Sequence, residues 1–379
     1  QCSASDAGYR FGELEADGKV PAFAARKKEE LMAATLQGGY SWIIENYLDG
    51  RLPMPGLVLQ GLLKGLVEAN FRFAKTYDEL PLEWGGAVGP IVEHSKDLMQ
   101  IHYDKPAVLF ENFLGPSMKY TMALYENGAR DLEQAQETML EDLCRKIGLQ
   151  DGDNVLDIAC GFGSLSAYIL RNYSSCKVTA LNLSQVQYDW ISARQSEPGQ
   201  PFHTDRFRIV KEDFSKSKFD RQFDRIMVIG LFEHIRNIKV ALEKIAQFLK
   251  PDGKVILHFI AYNNIIRQMA DISEDLFFNK YIFPGGRFWY FKELPRYQQH
   301  LKLEDSWFLN GNNYKRTLQA WRKNFWRNIE SVRKHPNIDE RFIRTWDLYL
   351  RFCIATFGAQ GGRNVGNGQY LMSHARPAS

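Results

Sequence analysis

Apolar residues along this chain recur in two rhythms, and the change from one to the other divides it. From Lys27 to about Met99 the spacing is helical, interrupted by Pro53, Pro55, Pro81 and Pro90. Proline stops or kinks a helix because it lacks the N–H and crowds the preceding turn. Within this stretch Leu57, Leu59, Leu62, Leu63, Leu66 and Val67 lie close to one helical stripe. Such a stripe packs on the rest of the protein or, as the lesser reading, docks on a membrane surface. Residues 1–25 are polar and read as mobile. "DLEQAQETMLEDLCRKI" (Asp131–Ile147) predicts a capped amphipathic helix closed by Gly148.

Beyond the turn "QDGD", short apolar runs alternate with amphipathic ones. Strands are predicted at Val155–Ile158, Lys177–Leu181, Phe207–Lys211 and Arg225–Ile229, and in "GKVILHFIA". Helices are predicted at Ser164–Asn172 and Gln185–Arg194, and in "VALEKIAQFLK". Strict alternation of this kind predicts a parallel α/β sheet whose ligands sit at the carboxyl ends of its strands. After Asn264 the texture becomes aromatic, with "FPGG" and "NGNNY" turns, which predicts a helical cap; "GQYLMSHA" reads as a last strand.

Composition narrows the classes. The 379 residues are 45% hydrophobic and 25% charged, as in ordinary soluble domains, with a net charge of only +3. That excess is small for a broad nucleic-acid surface. Five scattered cysteines (Cys2, Cys144, Cys160, Cys176, Cys353) form neither a disulfide framework nor a metal-ligand spacing, so no metal is expected. They suggest a reducing compartment. The first twenty residues lack the basic-then-apolar pattern of a secretory signal, and the expectation is a cytoplasmic protein. "LPMPGLVLQGLLKGLVEANF" is broken by Gln60, Lys64 and two prolines, too often for a bilayer span.

The chemistry begins at "DIACGFG". Gly161 and Gly163 let backbone approach a ligand where a Cβ would collide, and the following helix offers free N–H groups. A dinucleotide fold wants a third glycine three residues on, where this chain has Ser166. An α-amino-acid ligand suits the short turn, with Asp157 placed to meet an ammonium. In "LNLSQVQ", Asn182, Ser184 and Gln187 stand where a ribose is bound. In "KEDFS", Asp213 ends the third strand, able to accept from an adenine amino group. "LFEHI" places Glu233 and His234 just past the fourth. In this order and register the four features point to S-adenosylmethionine.

With these residues in view, the chain resembles S-adenosylmethionine-dependent methyltransferases of the cyclopropane-fatty-acid synthase group, which includes the plant coclaurine-type N-methyltransferases. The similarity runs from about Tyr103 to the C-terminus, through "HYDKPAVLFENFLGPSMKYT", "VLDIACGFGSL", "LNLSQVQ", "LFEHIRN", "YIFPGG" and "NGNNYKRTLQAW". It implies a seven-stranded, mostly parallel, Rossmann-like class I methyltransferase core with a lid. On that reading residues 1–100 form an N-terminal helical region and 101–264 the cofactor-binding core. Residues 265–379 form an acceptor-binding cap and the C-terminal strands that complete the core. By position, the resemblance puts Tyr103, Tyr120 and Thr121 at the methionine end, Gly161 under the amino-acid portion, Asn182 and Gln187 by the ribose, and Asp213 near adenine. It puts Glu233, His234, His258 and Tyr314 in the acceptor pocket.

Two departures matter. The cyclopropane synthases have a cysteine, part of a bicarbonate site, where this chain has Met122. The plant N-methyltransferases commonly have a second glutamate where this chain has Gly230. Methyl transfer is an in-line displacement that needs alignment and exclusion of water. An amine acceptor must lose a proton, which Glu233 with His234 or His258 could take. An alkene acceptor instead makes a carbocation that aromatic faces stabilise. Phe283, Phe288, Trp289, Tyr290 and Trp307 suit either, although core packing competes for each ring. The expectation is N-methylation of a small cyclic or aromatic amine, with C-methyl or cyclopropane transfer to an unsaturated fatty-acyl lipid as the alternative. A non-catalytic cofactor-binding module ranks third. The reading leaves room for a homodimer and for peripheral membrane contact.

Overall fold

The computed structural model describes residues 41–73, 76–77, 87–92, 104–126, 128–266, 277–282, 286 and 288–375. The polar start, Tyr103 and Phe283 lie outside the described residues. The centre is one twisted sheet of seven strands: β1 Asn154–Ile158, β2 Lys177–Asn182, β3 Phe207–Lys211, β4 Phe223–Ile229, β5 Leu249–Tyr262, β6 Leu301–Leu309 and β7 Val365–His374. Their spatial order is β3-β2-β1-β4-β5-β7-β6, and the two-residue strand Trp289–Tyr290 pairs beside the end of β5. β1 to β5 are mutually parallel, while β7 runs antiparallel between β5 and β6. The order reverses between β1 and β4, and a crevice opens there at the carboxyl ends.

The connecting helices form where the hydrophobic period predicts them. α3 (Leu132–Ile147) starts at Asp131, whose carboxylate accepts from the Gln134 N–H at 2.9 Å, and stops at Gly148 in the left-handed region, φ 65°. α4 (Ser164–Asn172) and α5 (Gln185–Gln195) join β1 to β2 and β2 to β3; α6 (Ile238–Phe248) joins β4 to β5. Two apolar clusters flank the sheet. One gathers α3, α4 and the C-terminal helices; the other gathers α6 against β4 and β5.

Two expectations need correction. The stretch from Lys27 to Met99 is not helical throughout: besides α1 (Gly56–Phe73) it contains strands Thr76–Tyr77 and Ala87–Val92, which pair with Ile265–Ile266 and Ile235–Asn237. Pro90 is compatible with an edge strand and not with a helix interior. Nor is the chain after Asn264 simply a helical cap. "LKLEDSWFL" is β6, whose alternation is broken by a register shift between Leu303 and Asp305. Helices α7 (Gly311–Arg327), α8 (Ile329–Arg333) and α9 (Glu340–Gly358) then pack over one face. Among the described residues no helix is long and apolar enough to cross a membrane.

α1 is held to α9 by Leu59, Leu63 and Val67 and by one buried acid. Asp347 accepts from Arg322 Nε and Trp326 Nε1 at 2.6 Å and from Arg351 Nε at 2.7 Å; Arg351 in turn donates to the Gly56 carbonyl at 2.8 Å. Asp347→Asn leaves buried cations without their counter-charge, and is expected to cost about 3 kcal/mol or more. The exposed cap change Asp131→Ala is expected to cost about 1 kcal/mol. Denaturant unfolding of the two variants side by side checks that ranking.

Candidate active site

The crevice is built on the turn from β1 to α4. Asp157, buried at the end of β1, accepts from the Ser166 hydroxyl at 2.7 Å, and burial raises its pKa to about 6 against that hydrogen bond. The chain then takes left-handed backbone at Ala159, Gly161 and Gly163, φ 60°, 58° and 75°. Ala159 is strained there, because an L side chain disfavours that region by about 1–2 kcal/mol. The two glycines do different work. A Cβ on Gly161 would meet nothing within 4 Å, so its face is open to the crevice; a Cβ on Gly163 would meet Phe202 Cζ at 2.8 Å. Gly163, grouped with Gly161 from the sequence, is therefore a packing residue under α4 and not part of the crevice wall.

The next strand clamps the turn from the side. Asn182, ending β2, donates to the Gly161 carbonyl at 2.7 Å and to Gln187 Oε1 at 3.2 Å, and accepts from the Ser184 N–H. Asn182 and Gln187 are thus positioned by each other. Asp213, past β3, accepts from the Ser215 N–H at 2.7 Å. Tyr120 sits among Phe110, Phe113 and Trp321, its hydroxyl 3.3 Å from that of Tyr349.

These groups line one cleft with an empty volume of about 1080 Å³, open solvent at its mouth included. Tyr120, Thr121, Asp157, Gly161, Asn182, Gln187, Asp213 and His234 all border it. The open face at Gly161 and the donor and acceptor set of Asp157, Asn182, Gln187 and Asp213 fit S-adenosylmethionine. Sequence reasoning missed Lys119 and Met118 in the same wall. Met118 has φ 53°, a second strained non-glycine at the cleft. The signal available was a lysine inside the otherwise uncharged "SMKYTM".

The expected acceptor residues are not all brought together. Glu233 lies in the short turn Phe232–His234 after β4, outside the residues that line the cleft; one carboxylate oxygen accepts from the Ile260 N–H at 2.8 Å and the other is buried without a hydrogen-bond partner among the described residues. Burial pushes its pKa up to about 7. His234 follows it and faces the cleft. His258 does not line it: it lies buried on β5, its Nε2 3.1 Å from the Asn367 amide on β7. Burial, then the charges of Lys119 and Lys146, hold its pKa well below the usual imidazole range. Tyr314, on α7, packs against Phe357 with ring centres 4.3 Å apart and is also outside the cleft wall. Gly230, φ 67°, donates to the His258 carbonyl at 2.8 Å and presents open space to the cleft. Met122 is fully buried.

With this geometry in hand, comparison with known proteins is informative. A family model described as mycolic acid cyclopropane synthetase matches residues 92–364. The cyclopropane-fatty-acyl-phospholipid synthase of Escherichia coli (strain K12) is 31% identical over 91% of this chain and 86% of its own. The (S)-coclaurine N-methyltransferase of Thalictrum flavum subsp. glaucum is 28% identical over 61% of this chain, an alignment spanning 63% of the plant enzyme. The chain thus spans less than two thirds of that relative's length. Among solved structures, coclaurine N-methyltransferase bound to N-methylheliamine and SAH superposes with a TM-score of 0.78. It is 20% identical and covers 88% of this chain and 99% of that one, a likeness of fold.

The two glycines of the turn separate stability from binding. Gly163→Ala is expected to cost roughly 3 kcal/mol, from its left-handed backbone plus the collision with Phe202. Gly161→Ala should cost only about 1 kcal/mol yet weaken binding of S-adenosylhomocysteine by about tenfold or more, since its methyl enters the space a ligand needs. Unfolding curves and calorimetric titration of both variants check this.

Proposed function

Because the chain belongs to the mycolic acid cyclopropane synthetase family, we propose that it is an S-adenosylmethionine-dependent methyltransferase whose acceptor is a small cyclic or aromatic amine. When bound, the cofactor supplies an electrophilic methyl group on a sulfonium. Asp157 meets the ammonium of its methionyl part, Gly161 gives it bare backbone, Asn182 and Gln187 hold the ribose, and Asp213 accepts from the adenine amino group. Tyr120 and Thr121 close the methionine end. Together these contacts fix the direction of attack and keep water from the methyl group.

The observation that carries the amine reading is the Glu233 carboxyl beside His234. An amine arrives largely as its ammonium and attacks only after losing a proton. His234 borders the cleft, and its chain neighbour Glu233, outside the wall, keeps one buried oxygen uncommitted among the described residues. A carboxyl whose pKa is about 7 is well matched to take a proton near neutral pH. His258, kept neutral by burial and bonded to Asn367, lies outside the cleft wall and is left out of the proton path. Met122 in place of the cyclopropane-synthase cysteine supports the same choice.

The lipid reading has its own support. The Escherichia coli phospholipid-modifying relative aligns along 91% of this chain, and α1 turns Leu57, Leu62 and Leu66 outward, Leu57 being 91% exposed. A lipid acceptor would bring the peripheral membrane contact with it. Methyl-labelled cofactor offered to secondary amines and, in parallel, to vesicles of unsaturated phospholipid separates the two. Label in a basic small molecule supports the amine reading, and label in acyl chains replaces it. Glu233→Gln is expected to lower turnover by about 100-fold or more while leaving S-adenosylhomocysteine binding nearly intact. Below pH 7 the carboxyl is protonated and cannot accept, so wild-type kcat/KM should rise with pH through about 7. A flat profile, or a Gln variant at wild-type rate, removes Glu233 from the proton path.

A further inference from the structure

Lys119 has an arrangement that packing alone does not account for. It borders the cleft, yet it is only 1% exposed. Its ammonium donates to the Met122 carbonyl at 2.5 Å and more weakly to the Thr121 carbonyl at 3.4 Å. An ammonium has three N–H donors, so one remains uncommitted. Among the described residues no carboxylate pairs with it. The contrast with Lys146 is direct: that side chain is also buried, but it pairs with Asp142 at 2.6 Å. Without such a partner, burial pulls Lys119 down to about 7. A lysine in this state is stabilised by an anion that reaches it from the cleft.

The surrounding turn is built to hold it there. Gln136 of α3, fully buried, donates to the Leu114 carbonyl at 2.9 Å and to the Lys119 carbonyl at 3.4 Å. Met118, immediately before, is held in left-handed backbone. Strain of this kind persists only where neighbouring structure over-determines it. Among the described residues Lys119 is also the one lysine or arginine of the cleft wall, whose carboxylates there are Asp157, Glu212 and Asp213. S-adenosylmethionine carries two cations, ammonium and sulfonium, and a single anion, its carboxylate. Three fixed anions can serve the cations; one fixed cation remains for the carboxylate.

We infer that the Lys119 ammonium is the counter-charge for the methionyl carboxylate of the cofactor, an assignment that rests on the cofactor reading above. It makes Lys119 a binding determinant for that end of the ligand, adjoining Tyr120 and Thr121. The alternative is a lysine that merely ties its own turn together through the two carbonyls.

Calorimetric titration of wild type and Lys119→Met with S-adenosylhomocysteine and with its decarboxylated analogue separates these. The wild type should prefer the carboxylate-bearing ligand by about 10- to 100-fold, and Lys119→Met should lose that preference, binding the decarboxylated analogue within about threefold of wild type. An equal loss for both ligands would make Lys119 structural and overturn the inference, as would unchanged affinity for S-adenosylhomocysteine. The wild type alone also decides: equal affinity for the two ligands leaves the carboxylate without a counter-charge. If wild type binds neither ligand, the cofactor reading itself falls, a result distinct from a failure of Lys119.

Discussion

The site depends on how β1 hands over to α4. A parallel strand must stop, expose backbone and restart as a helix within a few residues, and that requires left-handed conformations in succession. Two are supplied by glycine and one is forced on Ala159. What holds the turn is not the glycines but the groups around them: Asp157 tied to Ser166 across its base, and Asn182 reaching from β2 to the Gly161 carbonyl. Each lies at the carboxyl end of a strand whose register is fixed by ladder pairing with its neighbours. The cleft is therefore as rigid as the sheet. The wall from Met118 to Thr121, drawn from a loop and not from the sheet, is fastened to α3 through Gln136.

Buried ionisable groups in this chain fall into two kinds. Asp347 between two arginines and Lys146 on Asp142 are compensated: Asp347 joins α7 to α9, and Lys146, paired within α3, also reaches Gln369 on β7. Asp157, Glu233 and Lys119 have no counter-charge among the described residues, and all three are in the cleft wall or next to it in the chain. Burial drives Glu233 and Lys119 toward the same value, about 7, from opposite sides. Near neutral pH each is therefore partly uncharged, which limits the cost of keeping them dry. A ligand bearing charges of its own changes that balance, which is why such groups collect at functional sites and seldom in a plain core.

Most of the central sheet was legible because its signals are local. Alternating runs with their caps located β1 to β4 and α3 to α5 to within a residue or two, and found β5 with its start four residues late, at Gly253 against Leu249. β6 was not legible. Its alternation is interrupted by the shift at Leu303–Asp305, and it is recognisable as a strand only when β7, more than sixty residues later, pairs with it. The strands near Pro90 escaped for a similar reason, since a few residues at an edge carry little periodicity. Much of the cleft wall was readable, because Asp157, Asn182 and Asp213 stand at or just past strand ends. The acceptor side was not: that His258 meets Asn367 and stays outside the cleft wall depends on the pairing of β5 with β7, which no spacing in the chain reveals. Lys119 was overlooked because a charge in an otherwise uncharged run gives no sign of whether an acid partner meets it in the fold.

The mixture of resemblances also has a physical reason. Likeness along the whole chain is carried by sheet order, helix packing and the nucleotide turn, which any acceptor chemistry on this fold needs. On the function proposed, the acceptor is chosen by a handful of positions past β4 and in the 118–122 wall. At Gly230 the chain leaves space and no charge, so that position favours neither ammonium nor alkene. At Met122 the side chain is buried and the carbonyl takes the Lys119 ammonium; what stands there is a thioether and a fixed cation, not a thiol. A reaction relying on a thiol-bordered anion has lost one of its walls here, whereas a reaction that needs only a proton acceptor beside the cleft keeps Glu233 and His234. The balance toward an amine therefore comes from what these few side chains can do chemically, and not from how much of the chain aligns with either group of relatives.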